Sequence, residues 1–390
     1  MGPVAPGRRS RPPRVAEEMP VTRIASVAAS ATPPPSAVPA APATPAVSAA
    51  ALASLAPGVP PTLADVARLA GVSAATASRV LTGSAHVQPE TRVRVEQAIA
   101  QLRYVRNRAS RAARPQQAGS IALVVGEENV KVFADPFFAR ILLSFGRELA
   151  EADLQLVLLT LQTSRDYRMV ARYLRSRHVD GAFFVSMHLG SGFDLADLGI
   201  PVVLCGRPLS GGDGISYVDA DNIEGAKKAV NYLLSSGRTS VATIAGPPDM
   251  APGIDRLLGY RKAMTAAGIH DPGLIAYGDY TRRAGEHALR RLIDHRPRLD
   301  AVFAASDLMA VGALDALGRL GRRVPEDVAV LGFDDLPLSQ HTKPRLSTVR
   351  QPVDAMAAQM VKEMLALVDS PGRGPTRTVL ETELVLRDSA

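Results

Sequence analysis

The run TLADVARLAGVSAATASRVL, residues 62–81, constrains the chain more than any other stretch, because its caps and apolar spacing specify one local architecture. Thr62 and Asp65 stand in the capping-box relation, with a hydroxyl to accept from a first-turn amide and an acid at the positive end of a new helix. Gly71 breaks the periodicity with a residue that tolerates positive φ, and Ser73 restarts it as a second N-cap. Val66, Leu69, Ala70, Val72, Ala77, Val80 and Leu81 fall on one apolar seam. Pro89 opens a third helix, whose Val95, Ala98, Ile99 and Leu102 recur at helical spacing. The expectation is a three-helix unit with a helix-turn-helix core.

Such a unit either merely packs or reads DNA by laying its second helix in the major groove. Alanines in that helix allow close backbone approach. Charge favours reading. Residues 1–120 hold fourteen arginines, no lysine and five acids, a balance of +9 that leaves −2 for the rest of a chain whose total is +7. Local arginine excess is the footprint of phosphate contact and counterion release.

Residues 62–114 resemble the DNA-binding headpiece of the lactose/galactose repressor family, through TLADVARLAGVSAATASRVLTG and the later LRYVRNRASRAA. The resemblance implies operator contacts from Thr62, Ser73, Ala74, Ala75, Thr76, Ser78 and Arg79. It also implies a hinge helix that folds on DNA and brings Asn107, Arg108, Arg111 and Ala113 to the groove. Relatives carry a leucine wedge where Ala113 stands.

Composition divides the chain. The first 61 residues hold 14 of the 30 prolines and 16 alanines, too few large apolar groups to offset ordering, so disorder is expected there. GRRSRPPR is not followed by an apolar run at signal-peptide distance, although a start placed too far upstream stays open. No apolar run approaches the roughly 18 to 20 residues of a membrane span. Cys205, the one cysteine, sits in PVVLCG as a buried strand residue, and a single thiol fits a reducing cytoplasm.

Beyond Gly119 the runs IALVV, LQLVLLTL, GAFFVS, PVVLC, SVATIAG, AVFAAS and VAVLGFDD alternate with helical stretches, the pattern of parallel sheets covered on both faces. About 270 residues is long for one such sheet, so two similar lobes are expected. The overall class is α/β: an all-α helix-turn-helix headpiece, then a two-lobed periplasmic-binding-protein-like effector domain. The boundaries are a tail at 1–61, the headpiece at 62–106, hinge and linker at 107–119, and the effector and dimerisation domain at 120–390.

In this family the ligand lies between the lobes, outside the carboxyl ends of the strands. The resemblance puts Phe137 and Phe138 beside it, after Asp135, though both aromatics also suit the core of a helix capped by Asp135. Arg256 matches an arginine that holds sugar hydroxyls with its fixed fork of donors; without the family it reads as a surface ion pair. Tyr280 falls where an aromatic platform stacks on a sugar, and Asp334 where an acceptor ends a strand, with Asp335 capping the next helix. Gln351, Ser306 and Arg207 complete the set, and relatives commonly have Asn where Ser306 stands.

The rival classes are an exported sugar-binding protein and a sugar-metabolising enzyme on the same cleft. The first would not need the headpiece. For the second, the sequence holds no GxxxxGK[ST] or GxSxG motif, and its seven histidines lack metal-ligand spacing. A cytoplasmic repressor follows, homodimeric on an inverted-repeat operator, responsive to a small molecule such as a sugar, with no catalysis, metal, cofactor or membrane partner.

Overall fold

A computed structural model describes residues 61–84, 86–104, 118–189, 195–209 and 214–390. The chain divides into two units, Met1–Val105 and Arg106–Ala390. The expected tail and hinge, including Asn107, Arg108, Arg111 and Ala113, lie outside the described residues.

In the first unit, helices α1 (Leu63–Ala70), α2 (Ala74–Leu81) and α3 (Pro89–Leu102) enclose a small core. Thr62 and Asp65 form the reciprocal capping box, and Gly71 ends α1 in the left-handed conformation at φ 64°. Ser73 accepts from the Thr76 amide to start α2. Val66, Ala77, Val95 and Ala98 are fully buried where the three helices meet. The seam read from apolar spacing is the seam observed.

The second unit contains two six-stranded sheets. Its N-terminal lobe holds β1 (Ser120–Val125), β2 (Gln155–Thr160), β3 (Gly181–Val185), β4 (Val202–Cys205) and β5 (Ser216–Ala220), joined late in the chain by β11 (Arg377–Leu380). The order is β11-β5-β4-β3-β1-β2, with every pairing parallel. The C-terminal lobe holds β6 (Val241–Ala245), β7 (Ile275–Tyr277), β8 (Ala301–Ala304), β9 (Ala329–Asp334), β10 (Ser347–Arg350) and β12 (Glu383–Val385). They run in the order β12-β10-β9-β8-β6-β7, and only β12 pairs antiparallel.

Helices α4 (Asn129–Ala134), α5 (Pro136–Glu151), α6 (Ser164–Arg175) and α11 (Val353–Asp369) accompany the first sheet, while α7 (Asn222–Ser235), α8 (Ala251–Ala266), α9 (Arg282–His295) and α10 (Asp307–Arg319) accompany the second. Among the described residues the chain passes between lobes at Asp221, at Gln351–Pro352 and at Glu381–Thr382. The first and third passages are tied together, since the Asp221 amide donates to the Leu380 carbonyl at 2.8 Å.

The seven strands expected from apolar runs are present. Five others were not anticipated: β5, β7, β10, β11 and β12. They are short segments; in β5 and β10 polar residues are buried because they find partners, while Arg377 of β11 and Glu383 of β12 are exposed. Thr348 in β10 donates to Asp307, and Ser216 in β5 donates to Glu363 at 3.1 Å.

Candidate DNA-reading helix and effector cleft

The first α-helical turn of α2 begins at Ala74, with Ala74 and Ala75 exposed beside Arg79 while Ala77 and Val80 anchor the opposite face. Thr76 and Ser78 are half-buried. Thr62 and Ser73 are committed to caps, Asp65 accepting from the Thr62 amide at 2.8 Å and the Thr76 amide donating to Ser73 at 3.1 Å. The Thr62 hydroxyl and amide hold the Asp65 carboxyl below its ordinary pKa, with Arg68 adding to the effect. The result is a rigid helix whose exposed turns offer two methyl groups and one guanidinium.

In the second unit a cavity of about 280 Å³ opens between the lobes. Small-molecule sites run from roughly 300 to 1,000 Å³, so this one suits a compact ligand. Its polar wall comes from loops at the carboxyl ends of strands in both sheets. Phe137, Phe138, Arg207, Arg256, Tyr280, Ser306, Asp334 and Gln351 all line it.

Arg256, on α8, is only 4% exposed. Its Nε donates to Asn222 at 2.9 Å, its Nη1 to the Ala305 carbonyl at 2.6 Å and to Asp334 at 3.3 Å, and its guanidinium lies 3.7 Å from the Phe333 ring centre. It is therefore a buried, multiply held cation rather than a surface ion pair. Asp334 also accepts from the Gln351 amide at 2.6 Å. Burial still pushes its carboxyl up to about 6, against the pull of Arg256. Asp334 and Asp335 have φ of 120° and 53°, consecutive left-handed residues where β9 turns into the cleft. Such strain persists where surrounding contacts enforce it, a common state of ligand sites.

Tyr280 also has positive φ, 69°, and its ring lies 6.0 Å from the Arg256 guanidinium. A Cβ on Gly246 would collide with the Tyr280 ring and hydroxyl, so only glycine lets that ring settle against the β6 loop. The hydroxyl is buried without a hydrogen-bond partner. Burial raises its pKa, keeping it a neutral donor. Ser306 caps α10 by accepting from the Met309 amide at 3.3 Å. Phe138 is 3% exposed and belongs to the core, packed edge-on at 5.5 Å against the half-buried Phe137, while Asp135 caps α5 as expected.

The lacI family of bacterial regulatory proteins matches residues 62–107, and a periplasmic binding protein-like domain matches residues 230–390. The HTH-type transcriptional regulator CelR of Thermobifida fusca is 45% identical over 333 residues, which are 84% of this chain and 98% of that one. The chain belongs to the lacI family. The ribose operon repressor of Escherichia coli (strain K12) is 32% identical over 336 residues, 84% of this chain and 99% of its own. A solved structure of a CelR–cellobiose complex superposes with a TM-score of 0.68 at 44% identity, covering 85% of this chain and all of that one. Like its relatives, this LacI-family chain is a DNA-binding transcription regulator.

Several cleft residues of this LacI-family chain escape a sequence reading. Asn222 joins the lobes' polar walls, donating to Asp219 at 3.0 Å while accepting from Arg256. Asp219 in turn accepts from the Arg207 amide at 2.9 Å. Glu127, Lys131 and His188 stand at the cavity wall as well. The DNI motif after β5 was the available signal for Asn222: an amide following an acid at the start of a helix.

One expectation is corrected. Asp335 caps no helix, because the short 3-10 turn Pro337–Gln340 starts at Leu336 without a side-chain cap. Arg350 at 2.7 Å and Arg387 at 2.6 Å claim its carboxylate instead, and charge-assisted bonds outcompete an amide cap. Cys205, expected to be buried, is half-buried in the cavity wall, where desolvation and the nearby Asp219 push its thiol up to about 12. Among the described residues no group of histidine, cysteine and acid is arranged to hold a metal ion, and no helix is long and apolar enough to cross a membrane.

Proposed function

We propose that this regulator is a cytoplasmic repressor whose operator affinity is lowered when a β-glucosidic sugar of the cellobiose class occupies the cleft. The observation that carries the ligand class is the meeting of Arg256, Asp334 and Gln351 beside the Tyr280 ring. A guanidinium, a carboxylate and an amide match adjacent hydroxyls, while an aromatic face matches the apolar side of a pyranose. CelR, 44% identical in its solved complex with cellobiose, supports that class.

Thr62, Ser73, Ala74, Ala75, Thr76, Ser78 and Arg79 form the reading surface of the 62–106 headpiece, with Asn107, Arg108, Arg111 and Ala113 in the 107–119 hinge. The effector site is Phe137, Phe138, Arg207, Arg256, Tyr280, Ser306, Asp334 and Gln351, in a domain spanning 120–390. One short recognition helix carries little base contact, so two copies on an inverted repeat supply specificity, as in helix-turn-helix dimers. No chemical step is assigned to the cleft, whose acids serve as acceptors for Arg256, Gln351 and Arg207. The ligand's effect on operator affinity must equal the operator's effect on ligand affinity.

Calorimetric titration of the full chain with cellobiose, ribose and lactose, alone and on operator DNA, tests this reading. Cellobiose is expected to bind selectively and more weakly to the DNA-bound protein. Selective ribose or lactose binding would overturn the ligand class.

A further inference from the structure

The mouth of the cleft is bridged by a histidine. His188, in the loop after β3, places Nδ1 2.8 Å from Asp249 of the opposite lobe, in the loop after β6. Its Nε2 lies 3.5 Å from Glu127, which follows β1 in its own lobe. The neighbouring Leu189 amide donates to the Asp249 carbonyl at 2.8 Å, so the contact is a seam of two residues.

The chemistry of that placement is asymmetric in the proton. An imidazole facing carboxylates from both nitrogens satisfies both only as imidazolium, which has two donors; the neutral ring turns a lone pair toward one of the anions. Glu127 is 7% exposed and is held by Lys131 of α4 at 2.8 Å, so it is poorly placed to swing away. Among the described residues the titratable or charged groups around His188 are thus Glu127 and, behind it, Lys131 from the N-terminal lobe, with Asp249 from the C-terminal lobe. Tyr280, after β7, feels both carboxylates and stays protonated.

We propose that His188 is a proton-operated clasp: as imidazolium it holds the lobes together at the cleft mouth through Glu127 and Asp249, and losing its proton loosens the closed arrangement. Hydrogen bonding to Glu127, then to Asp249, raises the proton affinity of His188 above that of an ordinary histidine, against the opposing effect of burial. The sign follows. Opening the lobes removes Asp249 and lowers that affinity, so closure has its full advantage below about pH 6.5 and loses it as pH rises through the closed-state value. The proton becomes a second effector of the same switch. Its influence on operator affinity rests on the ligand reading above, whereas the clasp itself does not.

The test uses the full-length protein carrying histidine labelled at Cε1. In the absence of sugar, His188 followed by NMR is expected to titrate above the ordinary histidine range and to fall toward it in Asp249→Asn, with His188→Gln assigning the resonance and thermal melts checking folding. Cellobiose titrations should show the dissociation constant rising about fivefold between pH 6.5 and 8.5, within the limit of tenfold for each unit by which the pKa of His188 differs between closed and open states. That rise should vanish in His188→Gln. A His188 that titrates at or below the ordinary value, unmoved by Asp249→Asn, overturns the clasp. If cellobiose fails to bind at any pH while Asp249→Asn lowers an elevated His188 titration, the clasp stands and the ligand reading falls.

Discussion

Arg207 and Asp255 meet across the cleft as a two-pronged ion pair, Nε to Oδ2 and Nη2 to Oδ1, both at 2.7 Å. Arg207 follows β4 in one lobe, and Asp255 is buried on α8 in the other. The Nε–Nη2 edge of the guanidinium is thereby engaged, so Arg207 acts on a ligand chiefly by holding the lobes closed around it. Arg207→Ala leaves the Asp255 carboxylate buried without its cation. With the arginine half-exposed, the loss is roughly 2 to 3 kcal/mol of closure, and each 1.4 kcal/mol is tenfold in affinity. Calorimetry should therefore show sugar binding weakened by at least about tenfold, with operator affinity in the absence of sugar equal or higher, since the low-affinity closed arrangement is the one destabilised. Arg207→Lys should recover only part, because a point charge cannot make the planar fork. Full recovery by lysine would reject the two-pronged reading.

Asp334 sets the acid limit of the same response. Its carboxyl, pushed up to about 6 by burial, is charged at pH 7.5 and increasingly neutral below 6. A raised carboxylate pKa means the folded state binds the proton more tightly than the unfolded chain, so this group's charged form disfavours folding as pH rises through that window. Ligand hydroxyls that donate to the charged form offset that cost. Sugar affinity should then decline from pH 7 to 5, and Asp334→Asn should abolish the decline along with most of the affinity. An unchanged acid limb in that variant would assign the titration elsewhere, with Asp135 and Asp219, both raised by burial, as the other groups at the cavity wall.

Gly246 provides a test that removes no polar group. Because a Cβ there would occupy the space of the Tyr280 ring, Gly246→Ala should displace the aromatic platform and abolish the sugar response while leaving operator binding intact. Tyr280→Phe makes the complementary change. Removing a buried hydroxyl without a partner should leave thermal stability equal or higher by about 1 kcal/mol, since an unsatisfied polar group costs roughly 1 to 3. If melting falls in Tyr280→Phe, that hydroxyl has a partner in solution.

What could be read in advance follows the range of the interactions. Thr62, Gly71, Ser73 and Pro89 act within a turn or two, so the headpiece was legible from local caps and spacing. The cleft residues were legible through family resemblance, and all eight reach one cavity. The lobe contacts were not: Arg207 and Asp255 are 48 residues apart, His188 and Asp249 are 61 apart, and neither pair carries a local signature. The short strand β10 failed for another reason, since Ser347 and Thr348 are buried through hydrogen bonds that apolar patterning does not register.

The reading helix yields the remaining prediction. Ala74, Ala75 and Arg79 are exposed on α2, and only Arg79 among them carries a fork able to meet guanine O6 and N7 together. The alanines contribute close approach and methyl contact. Because Ala77 and Val80 bury the opposite face, Arg79 can be changed without disturbing the headpiece core. Arg79→Ala should cost roughly 1 to 3 kcal/mol on the preferred operator and flatten base preference at one position of each half-site. Arg79→Lys should keep much of the affinity, through charge, while losing some of the preference. A phosphate contact would behave differently: binding would weaken evenly on all sequences, and the salt dependence would shallow by about one ion. Site selection from a random-sequence pool, run for both variants at two salt concentrations, separates these outcomes, and retained base preference in Arg79→Ala would remove Arg79 from the bases.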